Sequence, residues 1–428
     1  MTEFLMPLIS TKLQKVFSLT FYPNKHPVEL EAMAFESHQK EVRDRFPALQ
    51  QEQVFFDNAG GSQTLDTVID SIRDYLSSTN VQLGASYAVG KKSTSAYSAG
   101  YEAAAKYINA NPDEIVFGAS TTQLLRNLSY ALKFNPGDEI VVSRIDHEAN
   151  IASWVDLAER QNLVLKWWKP APGPNPQLLV KDLVRLLSSK TRLVTCTHAS
   201  NILGTITNVR DVADAAHSVG ALLCVDAVAY APHRPIDVKA FGVDFYCFSW
   251  YKVYGPHISM LYGSWSAQTH LRSLGHFFNP SATLEDKLGL AAGSYELLQS
   301  IPKVVEYLDS KWDKIIAQEA SLQYELLSYL IDKPNVTIYG VPNEHVSERV
   351  ATISFSVKGW NSKDLVEAVE SKSTYAFRWG TFYSDRLVRE TLGLGKDGVV
   401  RVSMVHYNTV DEVKGLVRAL DEVVGNSS

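Results

Sequence analysis

The chain has 428 residues, of which 45% are apolar and 21% charged, with 41 basic against 47 acidic side chains for a net charge of −6. That length suits two or three packed lobes, and the composition excludes disordered and fibrous classes. No basic block suggests a nucleic-acid surface, and no apolar run approaches the roughly 18–20 residues of a membrane span.

In chain order, residues 1–50 are expected to be partly helical and to pack on a small C-terminal domain, with no signal peptide at the start. From about Val54 to Ser264, short β-rich runs alternate with helical stretches such as Val209–Val219. The predicted strands are Ile115–Ser120, Glu139–Arg144, Arg192–His198, Leu222–Ala227, Asp244–Trp250 and Ile258–Ser264. The Pro/Gly-rich run Pro170–Gln177 reads as a surface connection. Nearly all-apolar strands alternating with helices predict an α/β fold with a mostly parallel sheet covered on both faces. This large domain is expected to span 51–295. A helical region, Ser294–Leu330, then breaks near Ile301–Pro302. Strands at Asn335–Gly340, Arg349–Val357 and Val399–Tyr407, with helices at Ser362–Glu370 and Thr409–Val424, complete a smaller antiparallel α/β domain, 296–428. Cys196, Cys224 and Cys247 each lie in a strand-like run without metal-ligand spacing, so a reducing, cytoplasmic setting is expected.

Ligands of such sheets sit beyond the carboxyl ends of the strands. Thr121-Thr122 open a helix there, where free N–H groups and two hydroxyls suit a phosphate, although taken alone plain capping is the better explanation. His147 follows the second strand, where it either covers an aromatic ring or caps. Asn201 lies in a turn after the third. Asp226 ends an otherwise apolar strand; a buried carboxylate needs a partner, and a protonated pyridine nitrogen is one. Lys252 follows the next strand in Ser249-Trp250-Tyr251-Lys252, flanked by aromatics that favour a lowered pKa and imine chemistry.

This set, with Phe55–Ser62 (FFDNAGGS) and Val400–Thr409 (VRVSMVHYNT), resembles the class V aminotransferase and cysteine desulfurase family, pyridoxal 5′-phosphate enzymes of fold type I. The resemblance implies a large domain with a seven-stranded sheet. It implies Lys252 as the Schiff-base lysine, Asp226 on the ring nitrogen and His147 stacked on the ring. Thr121, Thr122, Ser249 and Tyr251 would serve the phosphate, and Asn201 would lie near cofactor or substrate. Arg378, supported by Arg401, would hold the carboxylate of an amino-acid substrate. Gly293-Ser294 would reach the phosphate of a neighbouring subunit, making a homodimer.

Departures from the family pattern direct the functional reading. Ala229 replaces a glutamine, and Tyr251 replaces a histidine. The loop Trp379–Tyr383 lacks the cysteine that attacks substrate sulfur in desulfurases. Lys252 can still move the Cα proton and generate an alanine enamine, from which a Cβ–Cγ bond breaks without a thiol. The expected function is therefore a carbon–carbon lyase or aldolase acting on a γ-hydroxy amino acid or aspartate. His147, Tyr251, Tyr383 and His406 are candidate bases for the γ-oxygen. Ser188–Ile206 and Ala229–His257 also resemble a fungal branch of specialised peptide metabolism that includes the ustiloxin decarboxylative aldolase and a hydroxyarginine-cleaving lyase. An aminotransferase or epimerase, a desulfurase-like lyase, and a non-catalytic scaffold are the rival readings. Simpler roles are expected elsewhere: packing for Trp167-Trp168, a local pair for His233, a solvated face for Glu285–Lys287, and core positions for Tyr97 and Tyr101.

Overall fold

The computed structural model describes residues 38–279, 281–289, 291 and 293–425. The described residues fall into two separate units, 38–45 and 46–425. In the first, 38–44 are helical; of the expected N-terminal segment, Pro47–Leu49 form a helical turn in the second unit, and 1–37 lie outside the described residues.

Among the described residues of the second unit, the strands are β1 (Val54–Phe55), β2 (Ile115–Gly118), β3 (Glu139–Ser143), β4 (Val164–Trp168), β5 (Thr191–Thr197), β6 (Leu222–Asp226) and β7 (Phe245–Ser249), followed by β8 (Ser259–Gly263), β9 (Val336–Tyr339), β10 (Thr352–Val357), β11 (Tyr375–Ala376), β12 (Arg378–Gly380) and β13 (Val399–Ser403). The large domain holds a seven-stranded sheet in the order β2-β8-β7-β6-β5-β3-β4. Only β8 runs against its neighbours. Strands β6 and β7 are buried at every position, as their apolar sequences up to the terminal Asp226 and Ser249 require. Leu124 and Leu128 from the helix Thr121–Ala131, with Trp154 and Leu157 from the helix Ala149–Gln161, seal one face of the sheet. Each such buried side chain stabilises the fold by about 1.5–3 kcal/mol.

The smaller C-terminal domain carries the antiparallel sheet β12-β13-β10-β9. Leu322, Leu365 and Leu416, from three helices, pack against Ile353, Phe355 and Val402 of this sheet. Strand β1 pairs with β11, and Asp57 then bridges to Ser403, so the residues after β1 run beside the small-domain sheet.

The region Ser294–Leu330 breaks near Ile301–Pro302 as expected, with Pro302 in the first turn of the helix Ile301–Leu308 that follows Tyr295–Leu298, and it breaks a second time before the helix Trp312–Ile331. Trp167-Trp168 pack as expected, on the edge strand β4, with Trp168 buried. Two expectations are corrected. Glu285 is not merely solvated, because Tyr97 donates to it at 2.5 Å. His233 pairs at long range with the buried Glu319, at 2.9 Å.

Candidate active site

Strands β2, β3, β5, β6 and β7 hand their ends and following residues to one cleft of about 100 Å³, whose lining includes Thr121, Thr122, His147, Asn201, Asp226, Ser249, Tyr251 and Lys252. The shared strand direction is the reason that residues so distant in sequence meet.

Lys252 ends the short turn Trp250–Lys252 after β7, and Tyr254 then takes a left-handed conformation (φ 61°) that turns the chain away. The Lys252 Nζ donates to the carbonyl of Ala59. Burial, with help from the Arg401 charge, lowers its pKa to about 8. Asp226, the last residue of β6, is 5% exposed and accepts from the Val228 N–H at 2.9 Å. Burial pushes its carboxyl up to about 6, against the pull of that N–H and of Lys252. An under-partnered buried acid favours a cationic donor brought to it.

The opposite end of the cleft is built from hydroxyls. Ser120 caps the helix that starts at Thr121 by accepting from the Gln123 N–H. Thr121 Oγ1 shares a hydrogen bond with Ser249 Oγ at 2.8 Å, and Ser249 shares one with Ser259 at 2.6 Å. Ser259 begins the antiparallel β8 directly opposite Ser249, a position without a sequence signal. Tyr251 lies flat against His257, with ring centroids 4.5 Å apart. Ser294 lies outside this cleft; it is exposed and precedes the helix Tyr295–Leu298 without a side-chain cap bond.

His147 accepts the Ala149 N–H on Nδ1 at 3.1 Å, which puts the proton of the neutral ring on Nε2. Burial first, then the charges of Lys252 and Arg401, lower its pKa to about 4. Tyr383 covers this ring at 5.3 Å between centroids. Asn201 clamps the loop that carries Tyr383: its Nδ2 donates to the Phe382 carbonyl at 3.0 Å and its Oδ1 accepts from Ser384 at 3.0 Å. The clamp and a 2.7 Å bond from the Glu148 N–H to the Tyr383 carbonyl hold Phe382 and Tyr383 at positive φ (50° and 58°). Such strain at non-glycine residues persists only where the surroundings impose it.

Arg378 and Arg401 face each other across β12 and β13. Asp57, unforeseen in the sequence, joins them: Arg401 Nη2 donates to Oδ1 at 2.7 Å and Arg378 Nη1 to Oδ2 at 3.4 Å. The Phe382 ring lies 3.7 Å from the Arg401 guanidinium carbon. His406, a candidate base in the sequence, is spent elsewhere, bonded to Tyr307 at 2.7 Å and to Tyr254 at 3.1 Å. It does not line the cleft.

A lysine of lowered pKa, an acid awaiting a cationic donor and a hydroxyl-lined helix start fit the three polar ends of pyridoxal 5′-phosphate. Comparison with known proteins agrees. A family model described as aminotransferase class V matches residues 54–416. The chain belongs to the class V aminotransferase family. This class V chain is 55% identical over 392 residues to the aminotransferase-like protein FGM3 of Gibberella zeae, covering 90% of this chain and 98% of that one. It is 42% identical over 395 residues to the cysteine desulfurase-like protein ustD of Aspergillus flavus, covering 90% of each. A nonribosomal peptide synthetase-like enzyme of Aspergillus fumigatus, fsqF, matches at 44% over 390 residues, which is 26% of that longer protein. Among solved structures, the apo cysteine desulfurase of Thermococcus onnurineus superposes with a TM-score of 0.83 at 23% identity, covering 90% of this chain and 98% of that one, a likeness of fold.

Proposed function

We propose that this class V enzyme is a carbon–carbon lyase or aldolase that uses pyridoxal 5′-phosphate to act at the Cβ–Cγ bond of an amino acid. Its substrate is a γ-hydroxy amino acid or aspartate, and its setting is fungal specialised peptide metabolism. The observation that carries the reading is the loop at the cleft mouth, where Phe382 and Tyr383 stand and no thiol does. The three cysteines lie in β5, β6 and β7, fully buried, and burial pushes each thiol well above its ordinary pKa. Sulfur transfer therefore lacks its nucleophile, while the lysine, the acid and the anion site are all present.

When bound, the cofactor supplies an electron sink for bonds at Cα and, one carbon further out, at Cβ. Lys252 carries the cofactor and moves the Cα proton. Asp226 keeps the ring nitrogen protonated. Thr121, Thr122, Ser249 and Tyr251 hold the phosphate, with Ser294 of a second subunit completing it in a homodimer. Neutral His147 covers the ring and donates from Nε2. Arg378 and Arg401 take the substrate carboxylate, and Asn201 acts by fixing the mouth loop. In cleavage, the γ-hydroxyl loses its proton to a base, the Cβ–Cγ pair stays with Cβ, and Cγ leaves as an aldehyde; Cβ then takes a proton and Cα regains the one it lost, which gives alanine. Among the candidate bases, Tyr251 lines the cleft and Tyr383 packs beside His147.

The test is a product panel with the holoenzyme. Alanine with an equimolar aldehyde or carbon dioxide, from a γ-hydroxy amino acid or aspartate, is the expected result. Sulfide from cysteine, or a keto acid in place of fragments, would overturn the reading.

A further inference from the structure

Asp57 stands in a turn that nothing in the reaction above uses, yet it is wired to three of the groups that do. Its backbone is fixed beside β13: Asn58 Nδ2 donates to the carbonyls of Phe55 at 3.0 Å and Ser403 at 2.9 Å. Gly60 leaves room for the carboxylate, since a Cβ there would lie 2.9 Å from Asp57 Oδ2. The same turn offers the Ala59 carbonyl to Lys252.

The two arginines meet this carboxylate unequally. The Arg401 side chain is 2% exposed and bonds Asp57 at 2.7 Å; Nη1 also donates to the Asn201 carbonyl at 3.2 Å, and Phe382 covers its face. It is immobilised, and its Nε is buried without a partner. The Arg378 side chain is 57% exposed and touches Asp57 only at 3.4 Å. An exposed contact of that length is worth little and is readily exchanged. Two guanidiniums against one carboxylate leave a single positive charge for an incoming anion.

We propose that Asp57 is a positioning residue for the substrate carboxylate: it locks Arg401 in place and holds Arg378 loosely, so that the substrate's carboxylate takes Arg378 over. The proposal rests on the assignment of Arg378 and Arg401 to that carboxylate. Asp57 also offsets the two arginines where they act on Lys252, whose proton affinity they lower and Asp57 and Asp226 raise. His147 and Tyr251 are the other titratable groups lining the cleft beside that lysine.

The experiment compares Cα–H exchange in D₂O for L-alanine, the expected product, with that for L-alaninamide, which lacks the carboxylate. In the wild-type holoenzyme the acid is preferred, and Asp57→Asn reduces that acid-to-amide preference at least about tenfold, with Asp57→Glu restoring part of it. A role confined to folding would slow both substrates alike, and an unchanged ratio in Asp57→Asn overturns the proposal. Arg378→Gln separates the two readings. If it collapses the ratio while Asp57→Asn does not, the proposal alone fails; if it leaves the ratio intact, the carboxylate assignment fails and takes the proposal with it. In cofactor-free protein, the pH midpoint of Lys252 carbamoylation by cyanate, followed by peptide mass spectrometry, falls by at least about half a unit in Asp57→Asn. An unmoved midpoint counts against the proposal.

Discussion

Asp146→Asn is expected to stabilise the protein at neutral pH. Asp146 is 1% exposed, beside His147 and close enough to Asp226 to feel its charge. Its Oδ2 accepts from Asn150 Nδ2 at 2.7 Å, but Oδ1 is buried without a partner. Burial outweighs the downward pull of Ser143, Asn150 and the Thr197 backbone and raises the carboxyl from 3.8 to about 8, which favours the protonated form in the folded state at pH 7. The sign follows from proton uptake: between about pH 4 and 8 the folded chain keeps a proton that the unfolded chain has released. Stability is therefore greatest below the unfolded pKa, falls as pH rises through that window, and levels off above about 8. Over the roughly three units to pH 7, at about 1.4 kcal/mol each, the loss is at most about 4 kcal/mol, and about 2–4 after local relaxation. Asparagine has nearly the same shape, can accept the Asn150 bond, and does not titrate. Urea unfolding of the holoenzymes at pH 5, 6, 7 and 8 should show the variant gaining on wild type with each step. A gap that does not change with pH, or a variant less stable at pH 7, would mean that Asp146 is ionised and paired, refuting the reasoning.

Other consequences are equally direct. Ser259→Ala removes the innermost hydroxyl of the Thr121–Ser249–Ser259 chain; at about 1 kcal/mol for a neutral bond, cofactor affinity should fall about fivefold in fluorescence titration. Asp226→Asn should keep the fold but lose at least about 10²-fold in Cα exchange, because a neutral amide cannot hold the ring nitrogen protonated; an exchange rate within threefold would contradict its role. In cofactor-free protein, Lys252 should react with cyanate increasingly as pH rises through about 8, since only the neutral amine is nucleophilic and burial has brought its pKa there. A midpoint above 10 would show that the lysine is not desolvated.

The elements legible in the sequence are those with one dominant signal. Strands β5, β6 and β7 are short runs rich in β-branched and apolar residues, and the structure moves their ends by only a residue or so. Strand β4 escapes because, as an edge strand, it carries Lys166 and an exposed Val164, so its pattern is that of a connection. Strand β12 is only three residues, Arg-Trp-Gly, and owes its conformation to pairing with β13. In the cleft, Thr121, Asp226, Ser249 and Lys252 are legible because Asp226 and Ser249 end strands and Thr121 and Lys252 stand three residues past one. Asp57 is not, since its partners lie 321 and 344 positions away and no local pattern joins them. Ser259 owes its place to the register of an antiparallel strand, and His406 loses its expected freedom to two tyrosines that sequence does not bring near it.

The most direct test of the central claim follows the isotope at Cβ. Wild-type holoenzyme in D₂O with a γ-hydroxy amino acid, monitored by proton NMR, should release an aldehyde and alanine deuterated at both Cα and Cβ, and Lys252→Ala should release neither. Deuterium at Cα alone, in a substrate that stays whole, would show that the chemistry stops at the first carbon and would contradict the account.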